Sequence, residues 1–98
     1  MNNMSQEPVD LDRLERGVQL VCGRVGEGRY HVAGGASDHW VDLGATGAGP
    51  KCDCADYLWR DHVCKHILAA QLREGHSDVI AAIGPMVLRL KQALEPAA

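Results

Sequence analysis

The chain has 98 residues, a formal charge of −3 at pH 7 and a hydrophobic fraction of 46%. This length predicts one domain, and the net negative charge is atypical of proteins that bind DNA through a basic face. Phe is absent, and the four aromatic residues are Tyr30, Trp40, Tyr57 and Trp59. The longest apolar stretch, Val79 to Leu88, is interrupted by Gly84 and Pro85 and is too short to span a bilayer. A domain this small usually requires an additional stabilising element, such as a bound metal.

The first predicted element is a helix. Its apolar residues recur at the helical spacing i, i+3, i+7 and i+10, namely Leu11, Leu14, Val18 and Val21. Asp10 or Glu7 is a suitable N-cap, and Gly23 is a suitable end. The alternative is a helix that ends at Arg16, followed by a strand from Val18 to Cys22. The regular apolar spacing favours the single helix.

The next segment predicts an antiparallel hairpin. Residues 26–28, with sequence Gly-Glu-Gly, form a turn, and residues 29–33 form a strand. Residues 34–38 form the hairpin loop and residues 39–43 the returning strand. A loop, residues 44–50, then leads to a pair of cysteines, with a short third strand as an option. The expected result is a small antiparallel sheet whose last edge carries these cysteines.

The cysteines and one histidine form two close pairs. Cys52 and Cys54 make a C-x-C pair, and Cys64 and His66 make a C-x-H pair after nine intervening residues. Side chains at i and i+2 of an extended segment point to the same face, so both sulfurs of the first pair reach one ion. Three thiolates and one imidazole are a usual ligand set for structural zinc. The spacing therefore predicts one closed zinc site.

A predicted helix follows the second pair. Residues 67–74 have a helical pattern, and Gly75 is a suitable C-terminal stop. Side chains at i and i+2 diverge within a helix, so Cys64 must precede this helix or cap it, with His66 in the first turn. The positive end of the helix dipole then favours a thiolate at Cys64.

These motifs resemble the SWIM zinc finger family. The similar segments are Val41-Asp42-Leu43, residues 52–57 and residues 63–70, and the resemblance covers roughly residues 28–74. Ala55 stands where the family often has Pro, which changes the turn after the second cysteine but removes no ligand. The resemblance implies a structural zinc, binding of DNA or protein partners, and no catalytic residues. It also favours His66 over His62 as the fourth ligand.

Two other interpretations of the cysteines are a redox switch and a pair of disulfides. The polar start of the chain, Met1 to Pro8, lacks a hydrophobic signal segment. We therefore expect a cytoplasmic, reducing location, where clustered cysteine and histidine favour a metal. A disulfide within C-x-C would also close a strained small ring. Cys22 is separated from the cluster, and we interpret it as a small buried hydrophobic residue.

The segment between the ligand pairs contains Tyr57, Leu58 and Trp59. These side chains either cover the zinc site or form a recognition surface, and cover is the favoured interpretation. Beyond Gly75, Ser77 is a suitable helix cap, and Gly84 with Pro85 predicts a break. The pattern thus predicts two short helices, residues 78–83 and 85–94.

Charges near the site are balanced. The four basic residues there are Lys51, Arg60, Lys65 and Arg73, and the four acidic ones are Asp53, Asp56, Asp61 and Glu74. Nucleic-acid binding depends on a basic face, so we expect it to be weak. We also expect His62 to face solvent.

The combined prediction is a small α+β domain with an N-terminal helix, an antiparallel hairpin, a zinc knuckle and C-terminal helices. Residues 1–7 are predicted to be a disordered tail, residues 8–75 a SWIM-like domain, and residues 76–98 a helical extension. The predicted function is a non-enzymatic module with one structural Zn²⁺ that binds a protein partner. DNA or RNA binding is the alternative, and neither a membrane nor a small-molecule substrate is expected.

Overall fold

The computed structural model describes residues 8–44, 49–60 and 62–95. Within these ranges it forms a small α+β fold of four helices and one four-stranded antiparallel sheet of order β1-β2-β3-β4. The elements in chain order are α1 Leu11–Gly17, β1 Val21–Gly26, β2 Arg29–Ala33, β3 His39–Asp42, β4 Lys51–Cys52, α2 Ala55–Arg60, α3 Lys65–Glu74 and α4 Ser77–Leu94. The predicted fold class is confirmed.

The prediction of a single N-terminal helix up to Gly23 is wrong. Helix α1 begins after Asp10, whose side chain accepts a hydrogen bond from the backbone N–H of Arg13 at 3.1 Å, and it ends at Gly17. Strand β1 then pairs with β2 from Val21 to Gly26. Backbone pairing with a neighbouring strand outweighs the local helical spacing here. Val21 belonged to the predicted helical stripe, yet its side chain is 70% exposed.

The predicted hairpin is confirmed. Strands β2 and β3 pair in antiparallel register, with Tyr30 opposite Val41 and both side chains buried. The optional third strand of the prediction is β4, which pairs with β3 so that Cys52 lies opposite Val41. Part of the predicted loop before it, residues 45–48, lies outside the described residues.

Two hydrophobic clusters meet at helix α3. The sheet-side core lies between α3 and the sheet, and its buried members are Tyr30, Val32, Val41, Cys52, Cys54, Cys64, Ile67, Ala69 and Ala70. The helix-side core lies between α1, α3 and α4, and its buried members are Leu14, Leu68, Val79 and Met86. Adjacent residues of α3 thus face opposite cores, because successive helical side chains point about 100° apart.

Gly17 permits the close crossing of α1 over the start of α3. A Cβ atom at Gly17 would lie 2.8 Å from the backbone oxygen of Lys65. Real Cβ atoms do not approach a backbone oxygen so closely, so any larger residue would push the helices apart. This contact places α1 beside the segment that carries Cys64 and His66.

The predicted break at Gly84 and Pro85 is also wrong. Helix α4 runs from Ser77 to Leu94 with Pro85 inside it. Proline removes one backbone hydrogen bond to the residue four positions earlier, Ala81, and both residues are exposed, so water reaches the unpaired carbonyl. Val79 and Met86, on either side of Pro85 within the same helix, are buried in the helix-side core, and this packing favours a continuous helix.

The chain between α3 and α4 turns as predicted at Gly75, whose φ of 92° is the left-handed conformation that glycine adopts without strain. The predicted cap residue Ser77 is the first helical residue instead, and His76 occupies the N-cap position. None of the helices in the described residues is long and apolar enough to cross a membrane. Residues 1–7 lie outside the described residues, and the proposed domain boundary at residue 75 stays a prediction.

Candidate metal centre

Three different elements deliver the four predicted site residues to one place. Cys52 ends the edge strand β4, and Cys54 directly precedes helix α2. Cys64 is the N-cap of α3 with an extended backbone, and His66 lies in the first turn of that helix. The predicted placement of Cys64 and His66 at the start of a helix is confirmed.

The four side chains converge on a common point. One ligand atom from each of Cys52, Cys54, Cys64 and His66 lies within 4.8 Å of all the others. The Sγ atom of Cys64 lies 3.8 Å from Nδ1 of His66. All four residues are buried, with exposed fractions from 0% to 6%. Polar and titratable groups that cluster in a core in this way need a compensating charge or hydrogen bonds.

The three cysteines of the cluster lie close enough to change one another's pKa. A hydrogen bond from Cys52 lowers the pKa of Cys64 to about 4, and the backbone N–H of Ile67 contributes to this shift. The same hydrogen bond to Cys64, together with burial, raises the pKa of Cys52. Burial raises the pKa of Cys54, although the backbone N–H of Tyr57 donates to its sulfur at 3.4 Å. Burial thus opposes ionisation of Cys52 and Cys54, and a bound cation would favour their thiolate forms.

This donor set fits zinc. Tetrahedral zinc with Zn–S bonds of about 2.3 Å and a Zn–N bond of about 2.0 Å separates its ligand atoms by roughly 3.5–3.8 Å. The measured spacing of the cluster, 3.8 Å between Cys64 and His66 and at most 4.8 Å overall, is close to that value. Three sulfurs and one imidazole nitrogen are also the soft and borderline donors that zinc prefers over calcium or magnesium.

A neighbouring hydrogen-bonded pair supports the imidazole of His66. The ring of His39 lies 4.3 Å, centroid to centroid, from the ring of His66. Nδ1 of His39 is 2.9 Å from Oδ1 of Asp53, which also accepts the backbone N–H of Trp40 at 3.3 Å. Burial raises the pKa of Asp53, but these hydrogen bonds outweigh it and the net shift is downward. The sequence predicts only a strand at residues 39–43, and the pairing of β3 with β4 is what brings His39 to the site.

An ion pair connects the N-terminal helix to the segment between the ligand pairs. The guanidinium of Arg13 donates two hydrogen bonds to the carboxylate of Asp56, at 2.7 and 2.9 Å. Arg13 also contacts Asp10, and its side chain is only 13% exposed. The hydrogen bonds from Arg13 lower the pKa of Asp56. Sequence reasoning missed this pair because 43 positions separate its members.

The remaining sequence predictions have mixed outcomes. Among the described cysteines and histidines, Cys22 and His62 lie outside the cluster. Cys22 is half-buried against the sheet-side core, and His62 is exposed as expected. Tyr57 packs against the sheet-side core, but Leu58 and Trp59 are 63% and 85% exposed. The prediction that all three of these residues cover the site is therefore wrong for Leu58 and Trp59.

A groove of about 470 Å³ lies beside the metal cluster. We call it the Trp59 groove, and its charged and aromatic lining residues are Arg13, Arg16, Asp56, Trp59, Arg60 and Lys65. Cys54 and His66 also line it. Arg13 and Arg16 reach this groove from α1, so its described lining contains four basic residues and one acidic residue. Asp61, one of the acidic residues in the predicted charge balance, lies outside the described residues. Lys51 and Arg73, the other two basic residues of that prediction, are not in its lining.

The comparison with known families agrees with the geometry. The SWIM zinc finger family model matches residues 39–73, from β3 to the last turn of α3. No curated protein and no solved structure matches the chain significantly. The matched segment contains all four clustered residues, and the match and the cluster together support a single structural zinc ion. Residues 39–73 therefore match the SWIM zinc finger family and contain a potential zinc site.

Proposed function

We propose that the protein is a non-catalytic binding module held together by one zinc ion, with Cys52, Cys54, Cys64 and His66 as the four ligands. The observation that carries this proposal is the convergence of four buried donor atoms within 4.8 Å. Four protein ligands complete the tetrahedral coordination of zinc, so no position remains for a reactive water or a substrate. The metal then stabilises the fold, and the surface around it binds a partner.

The partner that we propose is another protein. The chain carries more acidic than basic residues, 13 against 10, which disfavours long-range attraction to a polyanion. Large apolar side chains are exposed within the segment that matches the zinc finger, including Trp59 at 85% and Leu58 at 63%. Exposed aromatic residues of this kind are enriched among the energetically dominant contacts of protein interfaces.

X-ray absorption spectroscopy on the purified protein tests the ligand set. We expect a fit with three sulfurs and one nitrogen around one zinc ion for each chain. The matched control is Cys22→Ser, which removes a thiol outside the cluster and should leave metal content unchanged. A coordination shell with two sulfurs, or one with a bound water, would contradict the closed site.

Binding of nucleic acid is the second candidate function, and the Trp59 groove is the observation that favours it. Because the rest of the chain is acidic, we expect a dissociation constant weaker than about 10⁻⁵ M at physiological salt, toward the weak end of non-specific binding. Fluorescence anisotropy with labelled duplex and single-stranded oligonucleotides at two salt concentrations measures it. Sub-micromolar binding that weakens steeply with salt would make nucleic acid the main partner.

A further inference from the structure

The Trp59 groove has a composition that differs from that of the remaining surface. Of the described residues, four basic ones and one acidic one line it. The described residues outside the groove include six basic and ten acidic ones. Positive charge is concentrated at the groove even though the protein is negative overall. We infer that this groove binds a short acidic segment of a partner protein, with an apolar side chain of that segment packed on Trp59.

The basic residues of the groove differ in how much of their charge is already neutralised. Arg13 is held by Asp56 and Asp10 at hydrogen-bonding distance. The contact between Arg60 and Asp56 is long, at 3.9 Å. In the described parts of the chain, no carboxylate lies within 4.0 Å of the charged groups of Arg16 or Lys65. Arg13 thus fixes the shape of the groove, whereas Arg16, Arg60 and Lys65 are the cations that a carboxylate ligand would meet.

The aromatic residue of the groove provides the second contact. Trp59 lies in α2 between the two ligand pairs and exposes 85% of its side chain. A large indole surface held in water is costly unless a partner covers it, because burial of apolar surface is favourable by about 25 cal/mol per Å². Cations around an exposed indole suit a ligand that has acidic residues next to an apolar one.

The size of the groove and the charge around it favour an acidic peptide over a nucleic acid. A volume of about 470 Å³ lies in the range of small-ligand pockets, roughly 300–1,000 Å³, and holds only a few residues. A nucleic acid would continue past the groove over a surface on which the described acidic residues outnumber the basic ones, ten to six. An acidic peptide places its charges in the groove alone, so it gains the attraction without the repulsion.

This inference rests on the proposed function, because Cys54 and His66 line the groove and Cys54, a member of the metal cluster, directly precedes α2. The test must therefore distinguish loss of the groove's charge from loss of zinc. We propose Arg16→Glu combined with Arg60→Glu, which leaves all four ligands and the contact between Arg13 and Asp56 in place. The matched control is Arg24→Glu combined with Lys91→Glu, which makes the same change in net charge at exposed positions outside the groove.

Fluorescence anisotropy with the zinc-loaded full chain measures the binding. The probe is a labelled peptide in which Glu residues flank a central Leu, and the control peptide has Gln in place of each Glu. We expect the groove variant to bind the Glu peptide at least about tenfold more weakly than the unmodified chain, and the control variant to bind it unchanged. Trp59→Ala should weaken binding while Arg16 and Arg60 are intact. Zinc content, measured in parallel, should be one ion per chain throughout.

Three outcomes would overturn the inference. The first is no binding of the Glu peptide by zinc-loaded protein, and the second is equal weakening by the groove and control variants. The third is tighter binding of a labelled oligo-dT than of the Glu peptide, which would assign the groove to nucleic acid. None of these three outcomes contradicts the proposal that the protein is a zinc-stabilised binding module. Failure of the proposed function would instead appear as absent or incorrectly coordinated zinc in the unmodified chain.

Discussion

The two cores on either side of α3 differ in the types of residue that they bury. The helix-side core consists of four buried apolar residues, Leu14, Leu68, Val79 and Met86. In the sheet-side core, three of the nine buried members are the cysteines of the metal cluster. Buried apolar groups are stable next to one another without assistance, whereas buried thiols and an imidazole gain stability when they bind a cation. The comparison indicates that metal stabilises one half of this small protein and hydrophobic packing the other.

Helix α3 contributes buried residues to both cores, so the stability of one core depends on the other. Its residue Ile67 is buried in the sheet-side core, and the next residue, Leu68, is buried in the helix-side core. The N-terminus of the same helix carries Cys64 and His66. Loss of either core therefore removes the packing on one side of this helix. The contribution of each core to the free energy of unfolding can be measured separately.

Removal of zinc should have the largest effect. Binding of structural zinc contributes about 10–16 kcal/mol in small zinc fingers, which is comparable with the whole stability of a typical domain. We expect chelation at neutral pH to release β4, α2 and the start of α3, while α1 and α4 retain part of their helical structure. Hydrogen exchange resolved by residue, together with far-UV circular dichroism, measures this. Trp59 fluorescence is a poor reporter because the side chain is already 85% exposed. An apo protein that melts cooperatively at the temperature of the zinc form would refute the contrast between the cores.

Leu14→Ala should destabilise the helix-side core without affecting the metal. Leu14 is fully buried between α1, α3 and α4, and truncation of a buried leucine to alanine costs about 2–5 kcal/mol. Urea denaturation of the zinc-saturated protein gives the change in the free energy of unfolding. Leu94→Ala is the matched control, because Leu94 is 82% exposed and its truncation should change stability by less than about 0.5 kcal/mol. Reduced zinc stoichiometry in the folded Leu14 variant would show that the two cores are not separable.

Asp56→Asn should weaken the connection between α1 and the zinc finger by roughly 1–2 kcal/mol, because it removes the charge from a partly buried, twofold hydrogen-bonded ion pair with Arg13. Arg13 lowers the pKa of Asp56. The stabilisation is thus fully present above the ordinary Asp pKa of about 3.9 and disappears as pH falls through the lower folded-state value. The difference in the free energy of unfolding between the unmodified chain and the Asp56→Asn variant should therefore become smaller below about pH 4.

The control for that measurement is Asp12→Asn. Asp12 pairs with Arg89 on the surface, where both side chains are well exposed, so its neutralisation should cost less than about 1 kcal/mol. Since zinc loss at low pH affects all of these proteins, only differences between variants at the same pH are compared. An equal cost for Asp56→Asn and Asp12→Asn would show that the Arg13 contact is an ordinary surface ion pair.

Trp59→Ser should have the smallest effect on stability, within about 0.5 kcal/mol, because the side chain contributes little to either core. Thermal unfolding of the zinc form measures it, with the same substitution at the half-buried Tyr57 as the comparison. The Tyr57 variant should be clearly less stable. A loss above about 1 kcal/mol at Trp59 would restore the interpretation that this residue covers the metal site.

Features that depend on a few neighbouring residues were predictable from the sequence. The i, i+2 spacing within Cys52/Cys54 and within Cys64/His66, the cap position of Cys64 and the stop at Gly75 are local features, and all have the predicted geometry. The turn before β2 and the strands of the hairpin are also as expected. In each case the chemistry of adjacent side chains or the backbone freedom of glycine determines the conformation, so distant parts of the chain hardly matter.

Only the tertiary structure decided the features that join distant segments. Pairing with β2 places Val21 in a strand although it continues the helical apolar spacing of Leu11, Leu14 and Val18, and burial of Val79 and Met86 keeps α4 continuous through Pro85. The contact between Arg13 and Asp56, 43 positions apart, and the arrival of Arg16 at the Trp59 groove depend on how α1 crosses α3 at Gly17. Spacing along the chain carries no information about such contacts, because their free energy comes from surfaces that meet only after folding.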